Sequence, residues 1–239
     1  MKKIGLLGGI SWISTMDYYR LINEGINQRL GGLQFAECVI YSLNFGELQA
    51  RGWENAFELL LKACKHLKDS KVEAIALCAN TAHLFADQLE QQVALPIIHI
   101  GTATAKKILA SGMKTVGLLG TKFTMEKPFL IQHLEKQGLQ VLVPPEQTVR
   151  NYIQQTLRDE LGKGLVLPNT KARYLQIAQG LLNRGAEGII LGCTEIPLLL
   201  SPEDLPVPTF DTLEIHVEAI IDFILARGKY IVSSDNSYI

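Results

Sequence analysis

The sequence predicts an α/β protein made of two similar open parallel-sheet domains, related by an internal repeat, with a site in the cleft between them. Three observations support this. The first is the repeat itself: Met1-Lys2-Lys3-Ile4-Gly5-Leu6-Leu7-Gly8 returns as Met113-Lys114-Thr115-Val116-Gly117-Leu118-Leu119-Gly120. Glu73-Ala74-Ile75-Ala76-Leu77-Cys78-Ala79-Asn80-Thr81 returns as Glu187-Gly188-Ile189-Ile190-Leu191-Gly192-Cys193-Thr194-Glu195, and Leu95-Pro96-Ile97-Ile98-His99-Ile100-Gly101-Thr102 as Leu205-Pro206-Val207-Pro208-Thr209-Phe210-Asp211-Thr212. The matches keep their order, at offsets of 112, 114 and 110 residues. Second, the strand candidates are apolar throughout and alternate with helical spacing, the pattern of a parallel sheet covered on both faces. Third, each Leu-Pro strand closes its half and is followed by a helix.

Taken in order, residues 3–7 are an apolar run ended by glycines, and 14–30 carry helical spacing through Tyr18, Leu21, Ile22 and Ile26. Residues 37–43 are β-rich, 55–69 read as a well-buried helix, and 74–78 as a buried strand backed by a helix over 84–92. A strand over 96–100 and a helix over 102–111 lead into the second half. There the spacing predicts strand 115–119, helix 125–137, strand 140–143, helices 147–161 and 170–184, strands 188–192 and 207–210, and helix 212–227. The expected units are 1–100 together with 211–228, and 101–210, each of ordinary domain size. The polar tail 229–239 is expected to fray.

Composition narrows the function. The 239 residues are 47% hydrophobic, enough for one large core or two small ones. A net charge of −1 argues against a nucleic-acid partner, because phosphate binding needs clustered positive charge. No apolar run approaches the ~20 residues that cross a bilayer, so no membrane partner is expected. Lys2-Lys3 before an apolar run resembles a signal start, but the run breaks at Gly8-Gly9, short of an h-region of ~7–15 residues. Cys38, Cys64, Cys78 and Cys193 form no CxxC pair and read as reduced thiols of a cytoplasmic protein. His66, His83, His99, His133 and His216 show no metal-ligand spacing.

In open parallel sheets, ligands gather beyond the carboxyl ends of the strands. Each repeated strand places polar residues there: Gly9, Ile10 and Ser11; Asn80 and Thr81; Thr121 and Thr124; Cys193, Thr194 and Glu195. Small hydroxyls, an amide and free backbone N–H groups at helix starts suit a carboxylate. The bland alternative is that Asn and Thr only cap helices. Cys193 is the sharpest candidate: it follows a strand, and a nearby helix start is expected to lower its pKa from ~8.5. The alternative is inert packing. Cys78 aligns with Gly192, whereas Ala79 aligns with Cys193. Successive strand residues point to opposite faces, so Cys78 is expected to face the core.

Gly8-Gly9-Ile10-Ser11-Trp12, Cys78-Ala79-Asn80-Thr81-Ala82-His83 and Gly192-Cys193-Thr194-Glu195 resemble the aspartate/glutamate racemase family, from Met1 to about Arg227. Within it, the chain most resembles the enteric branch of aspartate/glutamate or broad-specificity amino-acid racemases. The resemblance implies proton removal and return at the α-carbon of a small anionic amino acid, with no pyridoxal phosphate, metal or other cofactor, in a homodimer. Two residues, usually both cysteines, flank that carbon in the family; here Cys193 keeps the second position and Ala79 occupies the first. The resemblance also implies that Asn80, Thr81, Thr121 and Thr194, with the backbone of Gly9 and Ile10, hold the carboxylate and amino groups. Gln49 and Arg51 fall in the loop that selects the side chain in relatives, and Lys163 matches a lysine that faces a side-chain carboxylate. For Gln49, Arg51 and Lys163 the alternative is a solvated surface.

Racemisation needs proton traffic on both faces of one carbon, so Ala79 implies weak or restricted activity. Two other readings stand beside it. A single-cysteine decarboxylase or isomerase of the same superfamily needs no opposing base, and a pseudo-enzyme would keep the pocket only to bind an amino acid.

Overall fold

The computed structural model of the chain describes residues 1–226, so the polar tail 229–239 lies outside the described residues. In chain order the elements are β1 (Ile4–Gly8), α1 (Trp12–Leu30), β2 (Cys38–Ser42), α2 (Phe45–Arg51), α3 (Phe57–Asp69), β3 (Ala74–Leu77), α4 (Ala86–Val93), β4 (Ile97–Ile98) and α5 (Ile100–Ala110). The second half runs β5 (Thr115–Gly120), α6 (Lys122–Glu126), α7 (Pro128–Lys136), β6 (Gln140–Leu142), α8 (Gln147–Asp159), α9 (Pro168–Leu182), β7 (Gly188–Gly192), β8 (Thr209–Asp211) and α10 (Thr212–Leu225). Two four-stranded parallel sheets result, ordered β2-β1-β3-β4 and β6-β5-β7-β8. The protein is therefore an α/β protein of two domains whose sheets share one strand order, as the repeat requires.

Strand alternation sorts the core into four layers. In β1 and β3, Ile4, Leu6, Ala74 and Ala76, with Cys78 just past β3, face α1 and α10, while Leu7, Ile75 and Leu77 face α3 and α4. In β5 and β7, Val116, Leu118 and Ile190 face α5 and α7, while Leu119, Ile189 and Leu191 face α8 and α9. The helix after β4 thus packs on the second sheet, and the helix after β8 packs on the first. Gly25 lets α10 approach α1 closely, since a Cβ there would sit 2.4 Å from Ile221 Cδ1.

Several boundaries differ from the sequence reading, each for a local reason. The helix expected over 14–30 starts at Trp12 because the Ser11 side chain accepts from Ser14 N and caps it. Asn44 caps Gly46 N in the same way, so Gln49 and Arg51 lie on α2 where a loop was expected. The helix expected over 55–69 follows a 3₁₀ turn, Trp53–Asn55. The helix expected over 84–92 begins as a 3₁₀ segment, Asn80–Phe85, before α4. Strand 96–100 shrinks to Ile97–Ile98, because the His99 ring accepts from Gly101 N and starts α5. The single helix expected over 125–137 is two, since Pro128 holds Lys127 in an extended conformation. The helix expected over 147–161 ends at Asp159, before the 3₁₀ turn Leu161–Lys163, and α9 begins earlier than expected, with Pro168 in its first turn. Pro206 and Pro208 have no N–H for the ladder, and β8 pairs only over 209–211.

Candidate active site

The carboxyl ends of β1 and β3 bring the first set of residues together. Gly9 is buried at φ +84, and a Cβ there would lie 2.3 Å from both N and O of Leu43. Only glycine fits where these two loops touch. The Gly9 N–H was expected to be free for a ligand; it donates instead to Thr15 Oγ1 at 2.9 Å, and that hydroxyl donates to Ser11 O. Ile10 is partly buried beside it, against the α3 and α4 layer.

At the end of β3 the two neighbouring residues part company. Cys78 is 1% exposed among Tyr18, Ile22 and Ile221, and burial pushes its thiol well up. Ala79 is extended and partly exposed, in register with Ile75 and Leu77. Its carbonyl accepts from His83 Nδ1 at 3.0 Å. Asn80 is 8% exposed; its Nδ2 donates to Thr212 Oγ1 at 2.9 Å, while Oδ1 is buried with no hydrogen-bond partner among the described residues. Thr81 is partly exposed on the following turn.

The second sheet offers Thr121 and the Cys193 loop. Thr121 caps α6, accepting from Thr124 N at 3.1 Å, and its hydroxyl lies 2.9 Å from Thr124 Oγ1. Cys193 is half-buried at the edge of the α8 and α9 layer. Its Sγ donates to Glu195 Oε2 at 2.8 Å, and Thr194 Oγ1 donates to the same oxygen at 3.0 Å. The expected lowering of the Cys193 pKa is overturned. Burial and the adjacent Glu195 carboxylate push the thiol well above its ordinary value, and only the short 3₁₀ turn Ile196–Leu198 follows it.

Three contacts join the two carboxyl edges. Thr212 Oγ1, which accepts from Asn80, donates to Leu191 O at 3.1 Å, two residues before Cys193. The rings of Trp53 and Phe123 lie 6.1 Å apart across the junction. His99 stacks on His133 at 3.9 Å, and Thr102 Oγ1 lies 2.6 Å from His133 Nε2. Thr102 and Thr212 are repeat partners; Thr212 reaches across to Leu191, whereas Thr102 bonds His133 within 101–210. Gln49, Arg51 and Lys163 are exposed side chains. Arg51 pairs with Glu47 at 2.9 Å, and Lys163 sits on the turn whose Leu161 is buried near Tyr174. A groove of about 540 Å³ beside α2 is lined by Ser42, Asn44, Arg51 and Lys62, and one of about 600 Å³ lies between α1, α5 and α10; Cys193 lines neither.

Glu195 and Thr212 are residues that the sequence reading named but gave no role. Glu195 was visible as an acidic residue two positions after a thiol. Thr212 was visible as the counterpart of Thr102. Among the described residues, no group of three or more His, Cys, Asp or Glu is placed to hold a metal ion, and no helix is long and apolar enough to cross a membrane.

The chain matches the Asp/Glu/Hydantoin racemase family over residues 7–220. It is 23% identical to the broad specificity amino-acid racemase RacX of Bacillus subtilis over 231 residues, 93% of this chain and 98% of that protein. A crystal structure of a candidate Asp/Glu racemase from Yersinia pestis superposes with a TM-score of 0.89 at 42% identity, covering 94% of this chain and 100% of the other. An aspartate racemase homologue from Pyrococcus horikoshii gives 0.84 at 37% identity, over 94% and 100% of the two chains.

Proposed function

The chain belongs to the Asp/Glu/hydantoin racemase family, and from that premise we propose that it moves the α-proton of aspartate, glutamate or a related amino acid without pyridoxal phosphate. Cys193 is the proton carrier in this reading, and the observation that supports it is the Cys193–Glu195 hydrogen bond. A thiol held protonated is a poor base by itself. Glu195 Oε2 already accepts the S–H hydrogen, so transfer along that bond yields the thiolate that removes the Cα hydrogen. The carbon's electron pair then spreads into the substrate carboxylate. The hydrogen now on sulfur exchanges with water, and return of a proton from sulfur then restores the same enantiomer carrying solvent hydrogen. Return from water on the Ala79 side gives the antipode. With no carrier on Ala79, the second route is the slower one, and net racemisation is weak or restricted.

Asn80, Thr81, Thr121 and Thr194 are taken to hold the substrate's α-groups, with the backbone at Ile10. Lys163 and Gln49 would meet its side chain from the rim. Residues 1–100 with 211–228, and 101–210, form the two flanking units in this reading. We take the protein as cytoplasmic and homodimeric, in keeping with its four free cysteines and the family resemblance.

The test is α-deuterium uptake in heavy water across a panel of L- and D-amino acids, with Cys193→Ala alongside. Exchange in the wild type that vanishes in the variant supports the assignment, and equal exchange in both ends it. Carbon dioxide released from substituted malonates, with no isotope uptake into any amino acid, would favour the decarboxylase reading, which Ala79 also suits.

A further inference from the structure

We infer that Thr212 sets the polarity of the amino-group pocket, by forcing Asn80 to present its amide oxygen to the ligand. The inference rests on the amino-acid reading above and deepens it.

The argument is an account of hydrogens. A threonine hydroxyl has one hydrogen to give and lone pairs to accept with. Leu191 O is a backbone carbonyl and can only accept, so the Thr212 hydrogen goes to it, at 3.1 Å. What Thr212 offers Asn80 is then a lone pair. The side-chain amide must turn its NH₂ toward that lone pair, at 2.9 Å. With the amide oxygen there instead, two acceptors would compete for one hydrogen. The orientation of Asn80 is therefore dictated by its partner's chemistry.

The consequence falls on the other end of the amide. Asn80 Oδ1 is buried and has no partner among the described residues. Burial strips an acceptor of its water, so one left unpaired is a feature awaiting a donor. The complementary ligand group is a cationic N–H, such as the ammonium of an α-amino acid. Asn80 directly follows Ala79, and Leu191 lies two residues before Cys193, so this one hydroxyl ties the pocket's polarity to the relative placement of both strand ends. Thr212 is thus a positioning residue; it acts through Asn80.

The experiment compares affinities for an amino acid and its des-amino analogue, aspartate against succinate and glutamate against glutarate, by titration calorimetry. Wild type, Thr212→Val and Thr212→Ser are measured, with thermal unfolding of each. Valine keeps the shape and removes the hydroxyl. We expect Thr212→Val to bind the amino acid roughly 10- to 100-fold more weakly while its affinity for the dicarboxylate is unchanged, and Thr212→Ser to restore discrimination. In turnover the same loss would appear in KM more than in kcat. Undiminished discrimination in Thr212→Val overturns the inference and leaves the amino-acid reading standing. Equal weakening toward both ligands shows a merely structural role and also overturns it. A wild type that binds no amino acid overturns both.

Discussion

The thiol of Cys193 donates to Oε2 of Glu195 across 2.8 Å, so the nucleophile-type residue of the second half rests protonated against a carboxylate. Burial and that charge act in the same direction on the thiol. Replacing Glu195 by glutamine keeps an acceptor and removes the charge. The thiol should then ionise at lower pH, and iodoacetamide should alkylate it faster at pH 7.5. α-Proton exchange should nevertheless slow by roughly 10²-fold or more, because the proton acceptor is gone. Slower alkylation would show that the carboxylate is not what holds the thiol protonated.

Ala79 is in register with the layer that contains Ile75 and Leu77, and it occupies the repeat position of Cys193. Ala79→Cys should place a second proton carrier opposite the first. Racemisation, followed by circular dichroism from either enantiomer, is expected to rise roughly 10²-fold or more. If exchange at the α-carbon rises while inversion does not, the new thiol is on the wrong side of the substrate.

Four histidines form a run through the junction. His216 lies 5.5 Å from His83, His83 lies 4.8 Å from His99, and His99 stacks on His133 at 3.9 Å. Burial lowers His83 to about 3, His99 to about 2 and His216 to about 4. The unfolded chain protonates these rings near 6.5, whereas the folded chain holds them neutral. Stability from this source is therefore complete above about pH 6.5 and is lost progressively as pH falls toward the folded values of about 4, 3 and 2. Asp211 works the other way: burial raises it to about 6, so below that pH the folded state binds a proton that the unfolded state does not. Three histidines outweigh one carboxyl, so unfolding takes up protons and stability falls with pH between pH 6 and pH 4. Urea midpoints at pH 7.5, 6 and 5 should fall steadily; a flat series would count against the buried run.

Gly9→Ala puts a side chain at φ +84 and 2.3 Å from the Leu43 backbone. The β1 and β2 loops must then separate, which strains or breaks the Gly9–Thr15 bond. A loss of at least ~2 kcal/mol in urea unfolding is expected, with exchange activity falling too. Unchanged stability would mean that the loop has room that the packing does not show.

By itself, the sequence determined the α/β architecture, the two-fold repeat, the order of elements and the core-facing position of Cys78. These depend on local quantities: apolar period, strand alternation and the recurrence of short motifs. It left the helix starts imprecise where a capping side chain decides them, as at Ser11, Asn44 and His99. Tertiary structure alone decided the chemistry of the junction. Thr212 and Asn80 are 132 residues apart in sequence, and His99 and His133 belong to different halves. Even Cys193, read correctly as the residue at the strand end, had its proton affinity placed with the wrong sign. A pKa follows from which charge ends beside the thiol and how much water is excluded, and both appear only when the chain closes around it.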